Sequence, residues 1–189
     1  MKWGDRMDRW RVLRREVVVD NAPYNVLRRD HVQLPTGQEM DYYVNVYGDW
    51  VNALVVTPDN QVVLLQQYRH GIEQVMQEIP GGMMEPGENP AAAIEREVRE
   101  ETGYASDEAP IFLGQFYPNP ATSTNQVHCY LLRNARRVGE QRLDATEDIL
   151  VQEVPLVEVG KMIRGGTLPH LFSVATFGLA MDWFRQQHD

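Results

Sequence analysis

The sequence predicts a mixed α/β fold, with a mixed sheet covered by helices on both faces, and three observations carry that expectation. Two nearly continuous apolar runs, WVNALVVT (50–57) and QVVLLQQY (61–68), flank the turn signal PDN and read as central strands buried on both sides. One sharply punctuated helix covers 90–102, with Asn89 suited to the N-cap, Pro90 to the first helical position and Gly103 to the residue after the end. Finally, segment 170–187 sets Val174, Phe177, Met181 and Phe184 at helical spacing, a stripe that reads as core packing.

The remaining elements follow in order. REVVVD (15–20) and YNVLRRDHVQL (24–34) read as strands, and PTGQ turns the chain into EMDYYVNVY, the second arm of a hairpin. A glycine-rich turn, IPGGMMEPGENP, precedes the central helix. Strands resume at IFLGQFY, QVHCYLL and ILVQEV, and a short helix covers 156–164. Strand order stays open at this level. Residues 1–46 are expected to form an N-terminal strand extension and 47–189 the main domain, with no repeat or low-complexity linker.

Composition narrows the function classes. A formal charge of −9 and a pI near 5.0 argue against an extended nucleic-acid partner, which calls for a basic face. No run reaches the roughly 18 apolar residues of a membrane span, and the charged N-terminal stretch lacks the apolar core of a signal peptide. Cys129 is the single cysteine, so no intrachain disulfide forms. A soluble, cytoplasmic protein is the expectation.

Within the central helix, EREVREE holds four carboxylates in seven residues. Ala91, Ile94 and Val98 share one arc of a helical wheel, and Glu97, Glu100 and Glu101 share the arc beside it. Glu95–Arg99 and Arg96–Glu100 are i,i+4 pairs, so a solvated, salt-bridged face accounts for part of the pattern. The other reading is a cation site: carboxylates bordering a buried stripe repel one another and lose hydration unless a hard cation joins them.

The upstream residues favour the cation site. Gly82, five residues, Glu88, seven residues, then REVREETGY from Arg96 to Tyr104 is similar to the complete signature of the Nudix hydrolases, with Tyr104 where that family usually has an aliphatic residue. QQYRH, EIPGG and FYPNPATSTNQVH resemble the ADP-ribose and nucleotide-sugar pyrophosphatase group, with Pro118 and Pro120 lying 14 and 16 residues beyond Tyr104, close to that branch's marker proline.

The resemblance implies an α/β/α sandwich and hydrolysis of a nucleoside diphosphate sugar, ADP-ribose or an NDP-hexose such as GDP-mannose, with Mg²⁺ or Mn²⁺ as cofactor. It implies Glu97, Glu100, Glu101 and the Gly81 carbonyl as metal ligands, and structural roles for Gly82, Glu88, Arg96 and Gly103. Arg69 is expected to contact the diphosphate or terminal ribose, where a guanidinium fork suits paired phosphate oxygens. Glu78 is expected at the substrate or a nearby water, and Glu147, with Asp148 second, as general base. Tyr24 is the expected stacking aromatic, with Trp10 and Trp50 as alternatives. His128, Cys129, Met83 and Met84 read as packing residues. A homodimer with exchanged N-terminal strands is implied. Two alternatives stay open: another Nudix substrate, such as FAD, NADH or a dinucleoside polyphosphate, and a nucleotide-sugar sensor without turnover.

Overall fold

The computed structural model describes residues 8–22 and 25–187. The chain divides into two compact units, one holding the residues up to Gly48 together with Tyr117–Asn125, the other Asp49–Phe116 and the residues from Gln126 onward.

In the first unit, β1 (Arg11–Asn21), β2 (Asn25–Gln33) and β3 (Glu39–Val46) form an antiparallel sheet in the order β1-β2-β3. The turn after β2 closes through Leu34 and Gln38, and Gly37 takes a φ of +88° that a side chain would oppose. β1 runs longer than expected, because it pairs with β2 along its whole length, from Arg11 opposite Gln33 to Asn21 opposite Asn25. Residues 117–125 join the unit through bonds between Asn45 and both Thr122 and Thr124.

The second unit contains β4 (Trp50–Val55), β5 (Gln61–Arg69), β6 (Gln74–Glu78), β7 (Gly81–Met83), α1 (Pro90–Thr102), β8 (Tyr104–Ala105), β9 (Ile111–Phe116), β10 (Val127–Leu132), β11 (Arg136–Arg137), β12 (Ile149–Pro155), α2 (Leu156–Arg164) and α3 (Leu171–Gln186). One mixed sheet has the order β7-β4-β10-β9, in which β4 and β10 run parallel and the other pairs antiparallel. A second, antiparallel sheet has the order β12-β5-β6, and β8 pairs with β11. The two apolar runs that announced the fold thus part into different sheets, linked by one bridge between Val56 and Val62.

Their continuous apolarity has a direct cause. Val51, Ala53 and Val55 of β4 enter a core with Ile94 and Val98 of α1, while Leu54 enters a second core with Val159 of α2 and Ala180 of α3. Alternate side chains therefore meet helices on opposite faces.

α3 departs from its expected stripe. Ser173, Thr176 and Ala180 are its buried residues, whereas Val174, Phe177, Met181 and Phe184 are only partly covered. Small residues let the helix approach β4 closely enough for the Thr176 hydroxyl to donate to Asn52 Oδ1 at 2.7 Å. The larger side chains Phe177, Met181 and Phe184 close the margin of the second core.

Candidate active site

β7 and α1 together build the acidic centre. β7 lies antiparallel to β4, with Gly81 opposite Asn52 and Gly82 opposite Val51. Asn89 caps α1 by accepting from the amides of Ala91 (2.9 Å) and Ala92 (3.3 Å). Burial of Ala93, Ile94 and Val98 then fixes the rotation of the helix, which turns Glu97 and Glu101 toward β7. The Gly81 amide donates to Glu101 Oε2 at 2.9 Å.

Gly82 is small because Glu97 occupies the space a side chain would need: a Cβ there would lie 2.5 Å from Glu97 Oε2. Gly82→Ala should therefore move that carboxylate by almost an ångström without disturbing the backbone. A displacement of that size lowers turnover about 10²-fold, while the melting temperature stays near that of the parent. Steady-state kinetics and a thermal melt test both halves.

Arg96 organises the acids around it. Its Nε and Nη2 donate to the two Glu88 oxygens, both at 2.9 Å, and its Nη1 donates to Glu97 Oε1 (2.9 Å) and Glu100 Oε2 (3.0 Å). These neighbours raise the arginine's pKa and lower that of Glu88. At the other end of α1, Gly103 adopts a φ of +74°, and the Gly139 carbonyl sits where its Cβ would be. Tyr104, the unusual final residue of the signature, is buried and donates its hydroxyl to Glu153.

The two inner carboxylates are poorly hydrated. Burial pushes the Glu101 carboxyl, 4% exposed, well above its ordinary range, against the opposing Gly81 amide, and the charges of Glu97 and Glu147 push it further. Burial likewise raises Glu97, with Arg96 opposing. Glu100 differs: its side chain is 42% exposed and leans on Arg96. Among the described residues, no three His, Cys, Asp or Glu side chains converge to hold an ion. Arg96 draws Glu100 while the Gly81 amide draws Glu101, so Glu97 and Glu101 are the inner members of the expected set of Glu97, Glu100 and Glu101. What remains is a pair of mutually repelling carboxylates, each with one oxygen outside the bonds just described, and this hard donor set fits a divalent cation.

The loop before β12 brings in a further acid. Gln141 Nε2 donates to the carbonyls of Glu101 (2.7 Å) and Ile149 (3.1 Å), tying the end of α1 to the start of β12. The Arg142 amide donates to the Glu100 carbonyl at 2.8 Å. Glu147, exposed at the loop tip, accepts from the Asp144 amide at 3.0 Å, and its charge acts on Glu97, Glu101 and Arg69 together.

A pocket of about 310 Å³ opens beside this centre, lined by Asn52, Arg69, Glu78, Gly82, His170 and Phe172 among others. Arg69 and Glu78, both expected at the substrate, are bound to each other: Nε and Nη2 of Arg69 donate to the two Glu78 oxygens at 2.7 Å. Glu78 is 2% exposed, and a carboxylate so buried requires a paired charge. Arg69 thus reaches the pocket with its two-point edge taken by Glu78 and its Nη1 outside that pair.

Of the aromatic candidates, Tyr24 lies outside the described residues, Trp10 packs on Tyr42 within the first unit, and Trp50 lines the pocket. His128 and Cys129 are buried strand residues, as expected, with burial raising the thiol. Met83 lines the pocket and Met84 packs against the first core. Sequence reasoning missed Asn52, His170 and Phe172. Asn52 had a visible signal, a lone amide inside an apolar strand; the other two sit at the start of a helix whose amphipathic pattern said nothing of a ligand.

Comparison with known proteins gives the family and the fold. Residues 47–170 match the NUDIX domain, and residues 10–45 match the nucleoside diphosphate sugar hydrolase N-terminal domain. The chain is 31% identical to an ADP-ribose pyrophosphatase of Bacillus subtilis over 71% of its own length and 73% of the relative's. It is 30% identical to a CMP-5'-(N-acetyl-N-hydroxy-3-aminopropyl)phosphonate hydrolase of Streptomyces rubellomurinus over 88% and 76% of the two lengths. The crystal structure of an ADP compounds hydrolase shares the fold with a TM-score of 0.85 at 17% identity, covering 97% of this chain and 98% of that one. With the signature intact and the NUDIX domain matched over residues 47–170, the chain belongs to the Nudix family and is a Nudix pyrophosphatase.

Proposed function

We propose that this enzyme hydrolyses the diphosphate bond of a nucleoside diphosphate sugar, ADP-ribose or an NDP-hexose such as GDP-mannose, to a nucleoside monophosphate and a sugar phosphate. It acts in the cytoplasm with Mg²⁺ or Mn²⁺. The observation that carries this reading is the desolvated Glu97–Glu101 pair, held against Gly81 and Gly82, two residues that also line a pocket large enough for one sugar-sized group. The match of residues 10–45 to a nucleoside diphosphate sugar hydrolase N-terminal domain supports the substrate class, as does the relative whose name is ADP-ribose pyrophosphatase.

Glu97 and Glu101 would hold the divalent cation, with the Gly81 carbonyl and the Glu100 carboxylate completing the set. When bound, the ion supplies positive charge that offsets the crowded diphosphate oxygens. The protein's own groups do the rest. Arg96 fixes the Glu97 carboxylate, and Gly82 leaves room for it. Water adds to one phosphorus, the bridging oxygen departs with the other phosphate, and Glu147 takes the water's proton. In the same proposal the enzyme is a homodimer that exchanges N-terminal strands, supported by the exposure of Val12, Val17 and Val19 on β1.

Turnover with Mg²⁺ across ADP-ribose, GDP-mannose, ADP-glucose, UDP-glucose, FAD, NADH and diadenosine polyphosphates tests the assignment, with a phosphomonoesterase releasing phosphate only from cleaved products. A preference for one diphosphate sugar supports it. Preference for a dinucleotide redirects it to another Nudix substrate, and binding without turnover would sink it in favour of a sensor.

A further inference from the structure

The pocket wall contributed by the start of α3 has no place in the hydrolytic chemistry above, yet its polar groups are arranged with care. His170 Nδ1 lies 3.3 Å from Glu78 Oε2 and 3.3 Å from Ser173 Oγ. A carboxylate gripped by a guanidinium is ionised and only accepts, which favours a proton on the Nδ1 that lies beside it. Ser173 Oγ in turn accepts from the Ile79 amide at 3.1 Å, which locks the start of α3 to the strand leading into the glycine turn. Burial lowers the pKa of His170 against the opposing charge of Glu78, which favours the neutral ring. In the neutral tautomer with its proton on Nδ1, Nε2 bears a lone pair.

A second observation points to a ligand in the same pocket. Asn52 is 4% exposed; its Oδ1 is occupied by Thr176, but its Nδ2 is buried without a partner among the described residues. Unpaired buried donors are rare in native proteins, and one lining a pocket marks a place for an acceptor. The pocket thus sets an acceptor, His170 Nε2, with a donor, Asn52 Nδ2, which suits hydroxyls, since each is donor and acceptor at once.

The aromatic side chains favour a sugar over a base. Trp50 and Phe172 meet at 60° with centroids 5.5 Å apart, and His170 and Phe172 at 59° and 4.9 Å. Tilted rings leave no parallel slot for a flat base, but they offer an apolar wall to the C–H face of a sugar. The volume of about 310 Å³ stands at the lower end of the roughly 300–1,000 Å³ of small-molecule pockets, enough for one ring and not for a whole nucleotide sugar.

We propose that this pocket is the sugar subsite and that His170, oriented by Glu78, determines specificity by accepting a hydrogen bond from a sugar hydroxyl through Nε2. The inference rests on the diphosphate-sugar reading above. His170→Asn places an amide nitrogen near the position of Nδ1 and keeps the Glu78 contact while removing the Nε2 acceptor; His170→Gln restores an amide oxygen near the position of Nε2. The two variants are compared with the parent on the preferred substrate and on a set of analogues that each lack one sugar hydroxyl.

The parent should favour the full substrate over one deoxy analogue about tenfold in kcat/KM. In His170→Asn that discrimination disappears, through a higher KM for the full substrate alone, and His170→Gln recovers part of it. Equal losses on all analogues, no loss, or a change that follows the base and not the sugar would overturn the role of His170 while turnover, and so the proposed function, still stands. Absence of hydrolysis of every diphosphate sugar by the parent would overturn both.

Discussion

Glu97→Gln is expected to lower kcat by about 10³-fold or more, with the fold unchanged. Removing one carboxylate charge from the Glu97–Glu101 pair weakens the hold on a divalent cation, and such an ion provides several kcal/mol of charge stabilisation at about 1.4 kcal/mol per tenfold in rate. Glutamine has nearly the same shape, and its amide oxygen still accepts from Arg96 Nη1 in the place of Glu97 Oε1. Stability should hold or rise slightly, because burial already disfavours the charge that is removed. The discriminating measurement pairs single-turnover kinetics with substrate binding by calorimetry. Near-normal binding with lost turnover places Glu97 in the chemistry, whereas unchanged turnover refutes its role.

The parts of this enzyme written in local sequence were legible in advance; those created by pairing distant segments were not. α1 shows the first kind. Asn89, Pro90 and Gly103 mark its ends, and Pro90–Thr102 is the observed helix because capping and positive-φ glycine act within a few residues. α2 likewise spans Leu156–Arg164 as read. The spacing of Gly82, Glu88 and the helix glutamates was similarly visible, and the Arg96 clamp shows why it is needed.

Other features depend on contacts across the chain. Apolarity identifies β4 and β5 as buried strands but cannot assign them to different sheets, since partner choice belongs to β10 and β12 far along the sequence. α3 turned its small residues inward because a polar contact, Thr176 to Asn52, lies 124 residues away. The Arg69–Glu78 pair was foreseen as two substrate contacts because each residue has the right chemistry alone. Only the β5–β6 hairpin, which sets Arg69 opposite Gln74, brings them close enough to neutralise each other.

Glu147→Gln carries the other large expected effect, a fall in kcat of about 10²–10⁴-fold with KM little changed, as for loss of a positioned general base. The geometry behind it is indirect but specific. Glu147 is an acid from outside α1 whose charge reaches Glu97, Glu101 and Arg69 alike, so its loop lies within electrostatic reach of the acidic centre. That loop does not hang free. Gln141 fastens its two ends to the carbonyls of Glu101 and Ile149, and the Asp144 amide holds the Glu147 carboxylate at 3.0 Å. Gln141→Ala should therefore lower kcat only through Glu147: substantial in the parent, and nearly silent once Glu147 is already glutamine. Residues acting as one unit show this non-additivity, whereas independent sites add. If Gln141→Ala reduces turnover equally in both backgrounds, the loop serves the fold and not the proton; if Glu147→Gln alone is fully active, another group takes the proton and Glu147 is only a turn former.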